Sequence, residues 1–273
     1  MNITTSRYIH YTLRIAVAMC FIGHGAFGII TKPIWCNYFG FFGISQEMAY
    51  KIMPLVGSLD IIFGLIMIFY PVRAILVYLV IWGIATASLR PLTGEPFAEL
   101  IERAGNFGAP LALLIFAGGF NDIRKHLFSR MNPEQPTSPE SFQNTIICLR
   151  VIVFLLLAGH GWLNLIDKKG IIIQYQSLGF ASPANVALYI GIFEIASALL
   201  VLLRPLRPVI LTLIIWKMGS ELFYPRYEFF EWVERGGSYG TLFALWFALE
   251  HQIKVKSIRR KVNKENYSFW RVI

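Results

Sequence analysis

Eight apolar runs, near residues 10–31, 50–70, 72–90, 105–122, 146–166, 185–204, 206–224 and 237–254, leave this chain few folds to choose from. Crossing the hydrocarbon of a bilayer takes about 20 apolar residues at a rise of about 1.5 Å each. A backbone facing lipid must satisfy its own hydrogen bonds, so these runs are predicted to be helices, and the alternation of barrel strands is absent. A hydrophobic share of 56% with 15% charged residues and a mean hydropathy of +0.56 exclude an ordinary soluble domain, where about 25% of residues are charged. The fold class expected is all-α and integral to the membrane, with eight transmembrane helices.

The runs come in two sets of four. Phe21-Ile22-Gly23-His24-Gly25-Ala26 in the first run returns as Leu157-Ala158-Gly159-His160-Gly161-Trp162 in the fifth. Leu13-Arg14 pairs with Leu149-Arg150, Gly57 and Asp60 with Gly191 and Glu194, Arg73 with Arg207, and Trp82 with Trp216. Glu102-Arg103 and Gly105 return as Glu234-Arg235 and Gly237. The spacing drifts from 136 (160 − 24) to 132 (234 − 102), and it changes only between apolar runs, as loop deletions should. Such self-similarity marks two copies of one unit, and two homologous four-helix bundles are expected. The domains are read as a first repeat over 1–130, a proline-containing linker over 131–144, a second repeat over 145–255 and a basic tail over 256–273. An even number of spans per unit gives both copies one orientation, as parallel repeats about an axis along the membrane normal.

Arg7 and Arg14 ahead of the first run resemble the start of a secretory leader, but Arg150 precedes the fifth run in the same way, so both runs are read as spans. Lysine and arginine sort by side. One side collects Arg7, Arg14, Arg73, Arg124, Lys125, Arg130, Arg150, Arg204, Arg207 and the basic tail; the other carries fewer, among them Lys32, Lys51, Arg103, Lys168 and Arg226. Both termini are therefore expected to be cytoplasmic, in the inner membrane. The tail is read as an orientation signal with headgroup contact, with no nucleic acid as partner. On the outer side, Pro96, Phe97, Leu100 and Ile101, and residues 225–235, are predicted to form short interfacial helices.

An ionisable residue inside a span costs about 2.5–3.5 kcal/mol on insertion scales, so it should face the interior and find a partner. His24 with Asp60 and His160 with Glu194 are the natural pairs, as proton relays, as ligand sites or as polar links between helices. Lys217 and Glu221 share a helix face in the second copy, where the first has Gly83 and Ala87. Arg90, Glu102, Arg103, Asn106, Glu234 and Arg235 complete the candidates, at the outer ends of the spans. Gly23 to Gly28 spells G-x-G-x-x-G, but it follows no strand and sits inside a span, which excludes a dinucleotide site. Cys20, Cys36 and Cys148 have no metal-ligand spacing, an odd count cannot pair fully within the chain, and no metal is expected. If spans one and five line the central axis, His24 and His160 would face each other as axial ligands of a haem b.

Arg14, the Gly-His-Gly of the first helix, Gly57-x-x-Asp60 and Gly191-x-x-Glu194, and an arginine opening the third helix resemble the DoxX-like four-helix membrane proteins, here in tandem. The resemblance covers most of each half and maps the family's acidic second-helix position onto Asp60 and Glu194. The lysine common four residues past the histidine is replaced by Gly28 and Asn164, and Glu-Arg-x-Gly lies outside the resemblance. It implies a membrane subunit of a redox assembly, linked to quinone or haem, with partner subunits in the bilayer. No nucleophile with a base, P-loop or zinc spacing is present, so no catalysed reaction is named beyond an accessory role in an oxidoreductase. A small-solute or proton-coupled transporter and a scaffold without ligand are the other readings that the residues leave open.

Overall fold

The computed structural model describes residues 3–119, 126–222 and 229–269, with side chains over 5–119, 126–222 and 229–253. Among them the chain is all-helical, with no strand and one isolated bridge between Val72 and Arg130. The helices are α1 (Ile3–Ile29), α2 (Trp35–Gly40), α3 (Gln46–Phe69), α4 (Arg73–Leu92), α5 (Ala98–Glu102), α6 (Ala104–Phe116), α7 (Pro139–Leu165), α8 (Lys169–Ser177), α9 (Pro183–Leu203), α10 (Arg207–Leu222), α11 (Phe229–Glu234) and α12 (Gly236–Phe269). Five of these, α1, α3, α4, α7 and α9, are long and apolar enough to cross a membrane.

The other three expected runs differ in length. The run 105–122 yields 13 helical residues in α6, because Gly118 and Gly119 take φ of 106° and 63° and end the helix. α10 has 16 residues, and residues 223 and 224 of that run lie outside the described ones. α12 overruns its apolar stretch and reaches Phe269. Two starts also move. α1 begins at Ile3, ahead of the expected run, and His10 within it is 3% exposed. α7 begins inside the expected linker, because Ser138 has extended N-cap geometry, accepts a hydrogen bond from the Ser141 amide at 3.0 Å, and is followed by a proline at the first helical position.

α3 packs on α1 as α9 packs on α7, α4 on α6 as α10 on α12, and α2 on α3 as α8 on α9. The centre is shared: α1 packs on α12, α6 on α7, and α6 and α12 on each other. Within each half α1 also packs on α6 and α7 on α12, so the first and last helices of both halves meet at one centre. Side chains at the centre are small. Ala104, Ala109, Ala112, Ala244 and Ala248 are all 0% exposed, and between helices in lipid it is such close approach, with dispersion contacts, that drives association. Leu13, Val17, Leu113, Leu149, Val153, Leu242 and Leu245 fill the rest of the core. Leu55, Ile62, Ile81, Leu188, Ile192 and Ile215 lie exposed on α3, α4, α9 and α10, an outer surface suited to lipid.

The repeated sequence pairs have local reasons. Arg14 donates to the Met67 carbonyl at 2.6 Å and to that of Ile68; Arg150 donates to the carbonyls of Leu202 and Leu203. Each guanidinium thus caps carbonyl groups left open at the end of its neighbouring helix, where the helix dipole favours a cation. The glycines around the histidines serve two approaches at once. A Cβ at Gly23 would fall on the backbone nitrogen of Glu234, and one at Gly159 on that of Glu102. On the other side of each histidine, Gly25 touches Gly57 of α3, and Gly161 touches Gly191 of α9. Each histidine is therefore wedged between a helix of its own half and a short helix of the other.

Candidate functional site

The C-terminal ends of α1 and α7 meet α2, α5, α8 and α11, and the candidate residues gather there. His24 Nδ1 donates to Asp60 Oδ2 at 2.7 Å, with Asp60 1% exposed. His160 Nδ1 donates to Glu194 Oε2 at 2.5 Å, with Glu194 0% exposed. Both carboxylates point into the bundle, as a charge in lipid surroundings must. With Nδ1 committed, Nε2 is the ring atom left to meet a ligand, and in each case the imidazole lines a cavity.

The two pairs are held differently. Around His160 the supports are complete: Trp216 Nε1 donates to Glu194 Oε1 at 3.1 Å, Asn164 Nδ2 donates to the His160 carbonyl at 3.0 Å, and the Tyr175 hydroxyl donates to Asn164 Oδ1 at 2.7 Å. Around His24 the ring leans on Trp35, with centroids 4.7 Å apart. The two imidazoles line different cavities, an arrangement that gives no support to a haem shared between His24 and His160.

Above the pairs runs a chain of charges joining the halves. Lys217 lies 3.3 Å from Glu221, Arg235 Nε lies 2.8 Å from Glu221 Oε2, and Arg235 Nη1 donates to Glu102 Oε1 at 3.0 Å. Arg103 donates to Glu102 at 2.9 Å and to Glu99 at 2.5 Å. Glu99, 0% exposed, also pairs with Lys168 and with Arg90 at 3.4 Å. Arg90 holds Glu95 at 3.0 Å, which accepts the Tyr38 hydroxyl at 2.6 Å. Burial alone would raise the Glu102 carboxyl, but Arg103 and Arg235 outweigh it and hold Glu102 well below the usual carboxylate range. Burial pushes the Tyr38 hydroxyl up to about 12, with Arg90 opposing and the bond to Glu95 assisting.

Two cavities open beneath this chain. The smaller, about 240 Å³, is lined by His24, Trp35, Tyr38, Trp82, Arg90 and Asn106 among others. The larger, about 810 Å³, is bordered by His160, Lys168, Trp216, Glu221 and Arg235 on its polar side. Its apolar side includes Leu178, Phe180 and Ile215, which are 41%, 48% and 67% exposed on the outer surface. Lys32, Arg90, Arg103 and Glu234 border both cavities.

Every candidate named from the sequence belongs to one of these two pairs, to the chain of charges or to a cavity wall. Not foreseen were α2 and α8, and with them Tyr38 and Tyr175, nor Lys32, Glu95, Glu99 and Lys168. One signal was present: Lys32 and Lys168 stand eight residues past His24 and His160, so the repeat itself pairs them. α5 and α11 occupy the places expected of interfacial helices; residues 225–228 of the second, like Arg124, Lys125, Arg226 and the side chains of the basic tail, lie outside the described residues. No family model matches the chain, and neither does any curated protein or solved structure.

Proposed function

We propose that this chain is a tandem DoxX-like protein of the inner membrane, with eight spans, both termini cytoplasmic, and the charged chain at the outer face. α1, α3, α4 and α6 form one repeat, and α7, α9, α10 and α12 the other. The matched helix contacts, the matched arginine caps and the matched histidine pairs support this reading. Its role is that of an accessory subunit of a redox assembly, holding a quinone beside His160 while partner subunits exchange the electrons.

The carrying observation is the larger cavity, which sets the half-buried His160 imidazole and several charged groups at one end of an apolar wall that reaches the outer surface. An amphiphile with a polar head and an apolar tail matches that division, because its tail leaves past Leu178, Phe180 and Ile215 without crossing a charged group. The residues fit a quinone: Trp216 and Tyr175 are flat apolar walls with satisfied polar atoms, and His160 presents one free ring nitrogen. A bound quinone supplies a couple of two electrons and two protons. The chain supplies the proton handling. Glu194, fixed by Trp216, holds the imidazole orientation, so that His160 Nε2 faces the head group and can give or take a proton there. The ring of ion pairs above keeps these charges compensated where water is scarce. Haem is not proposed, since His24 and His160 line different cavities.

A photoreactive quinone tests this directly on the purified full chain. Labelling is expected on peptides containing Ile171, Tyr175 or Trp216, and to be displaced by unlabelled quinone. Labelling spread evenly over the apolar surface, or insensitive to competition, overturns the reading.

A further inference from the structure

We infer that Glu234 is the proton-exchanging carboxylate shared by the two cavities, able to take a proton from the larger and release it into the smaller. That role rests on the redox reading, for which it supplies the proton outlet of the larger cavity.

Four carboxylates among the described residues line the larger cavity: Glu102, Glu221, Glu231 and Glu234. Three of them are held by cations. Glu102 accepts from Arg103 at 2.9 Å and from Arg235 at 3.0 Å, Glu221 lies 2.8 Å from Arg235 and 3.3 Å from Lys217, and Glu231 accepts from Lys32 at 3.1 Å. Glu234 has neither an ion pair nor a side-chain hydrogen bond among the described residues. The reason lies in the cations around it, each of which is committed elsewhere. Lys32 goes to Glu231, Arg90 to Glu95 and Glu99, Arg103 to Glu99 and Glu102, and Arg235 to Glu102 and Glu221. A carboxylate that accepts from guanidinium groups gives its oxygens to fixed donors and resists a proton, as Glu102 does between Arg103 and Arg235. One without such donors keeps both oxygens open to a proton.

Its position suits the exchange. Of the four, Glu234 alone also lines the smaller cavity. A Cβ at Gly23 would fall on its backbone nitrogen, which sets Glu234 beside the helix turn that carries His24. The titratable groups whose charge it meets are Cys20 and His24 of α1, Arg90 of α4 and Arg235 next to it in sequence. On the smaller side the walls are largely aromatic, with Phe27, Trp35, Tyr38 and Trp82 among them. The proton acceptor there is the His24 imidazole, whose Nδ1 is engaged by Asp60 and whose Nε2 is left open. Each exchange moves one proton and no electron: Glu234 gains it from a donor in the larger cavity and gives it up on the side of His24.

The test is labelling of the detergent-purified full chain with dicyclohexylcarbodiimide, an apolar reagent that attacks a carboxyl group carrying its proton. The proton moves to a carbodiimide nitrogen as a carboxyl oxygen bonds to the central carbon, and acyl migration to nitrogen leaves a stable N-acylurea that peptide mass spectrometry locates. Glu234 is expected to be labelled, faster as pH falls, with Glu102, Glu221 and Glu231 slower by on the order of tenfold. Glu234→Gln should abolish the adduct on its peptide without moving it to the other three. Labelling of Glu102 or Glu221 as fast as that of Glu234, or a wild-type chain in which Glu234 stays unmodified, overturns the assignment. A short-tailed quinone added in excess separates the two readings. Slower labelling of Glu234 in its presence supports both, whereas an unchanged rate counts against quinone in the larger cavity and leaves Glu234 as the exchanging carboxylate.

Discussion

Arg235 touches a buried carboxylate from each half, Glu102 at 3.0 Å and Glu221 at 2.8 Å, and so ties α5 to α10 across the centre. Because Arg103 and Arg235 hold Glu102 below its ordinary value of 4.5, the folded state binds that proton less readily than the unfolded chain does. The stability this gives is fully present above the unfolded value and is lost as pH falls through it toward the folded one. Thermal unfolding in detergent is therefore expected to shift to lower temperature as pH drops below 4.5, and Glu102→Gln should flatten that dependence while lowering stability at neutral pH. An unchanged acid limb in Glu102→Gln would show that other carboxylates govern it. At this scale the sequence is legible where a titratable residue interrupts an apolar run: His24, Asp60, His160, Glu194 and Lys217 all stand out against lipid-compatible neighbours. Glu99 and Lys168 do not, because they sit in the polar stretches between apolar runs, where charge is unremarked, and only the tertiary fold brings them together.

Among the elements, the short helices depend on glycine. A methyl at Gly159 would meet the backbone of Glu102, and nothing flexible stands there to yield, whereas Gly219 on α10 has open space around its Cβ position. Gly159→Ala should destabilise the protein by about 1–3 kcal/mol through forced displacement of α5. Gly219→Ala should be neutral or stabilising by up to about 1 kcal/mol, since alanine is the better helix former. Detergent melting curves of the two variants distinguish them, and equal melting temperatures would refute the close contact. The long helices could be read from apolar runs of about 20 residues, but their ends could not: the start of α7 is set by Ser138 and Pro139, and the end of α6 by two glycines with positive φ. α2 and α8 escaped notice because nine residues or fewer give too few turns for a periodicity to show.

For the whole molecule, the all-helical, apolar character was legible and the packing of the two halves on each other was not. Which helices share a centre depends on glycine and alanine surfaces that look alike in both halves. α5 sets Glu102 against Gly159, beside His160, and α11 sets Glu234 against Gly23, beside His24, so each site draws on both halves of the chain. The two sites are thereby linked, and the larger cavity has exposed Leu178, Phe180 and Ile215 on its apolar side. The most direct measurement is the quinone content of the protein purified in mild detergent, for the wild type and for Glu194→Gln. About one quinone per chain is expected in the wild type, and loss on the order of tenfold in a variant that inserts normally. A quinone-free wild type, or equal content in the two proteins, would contradict the assignment of that cavity.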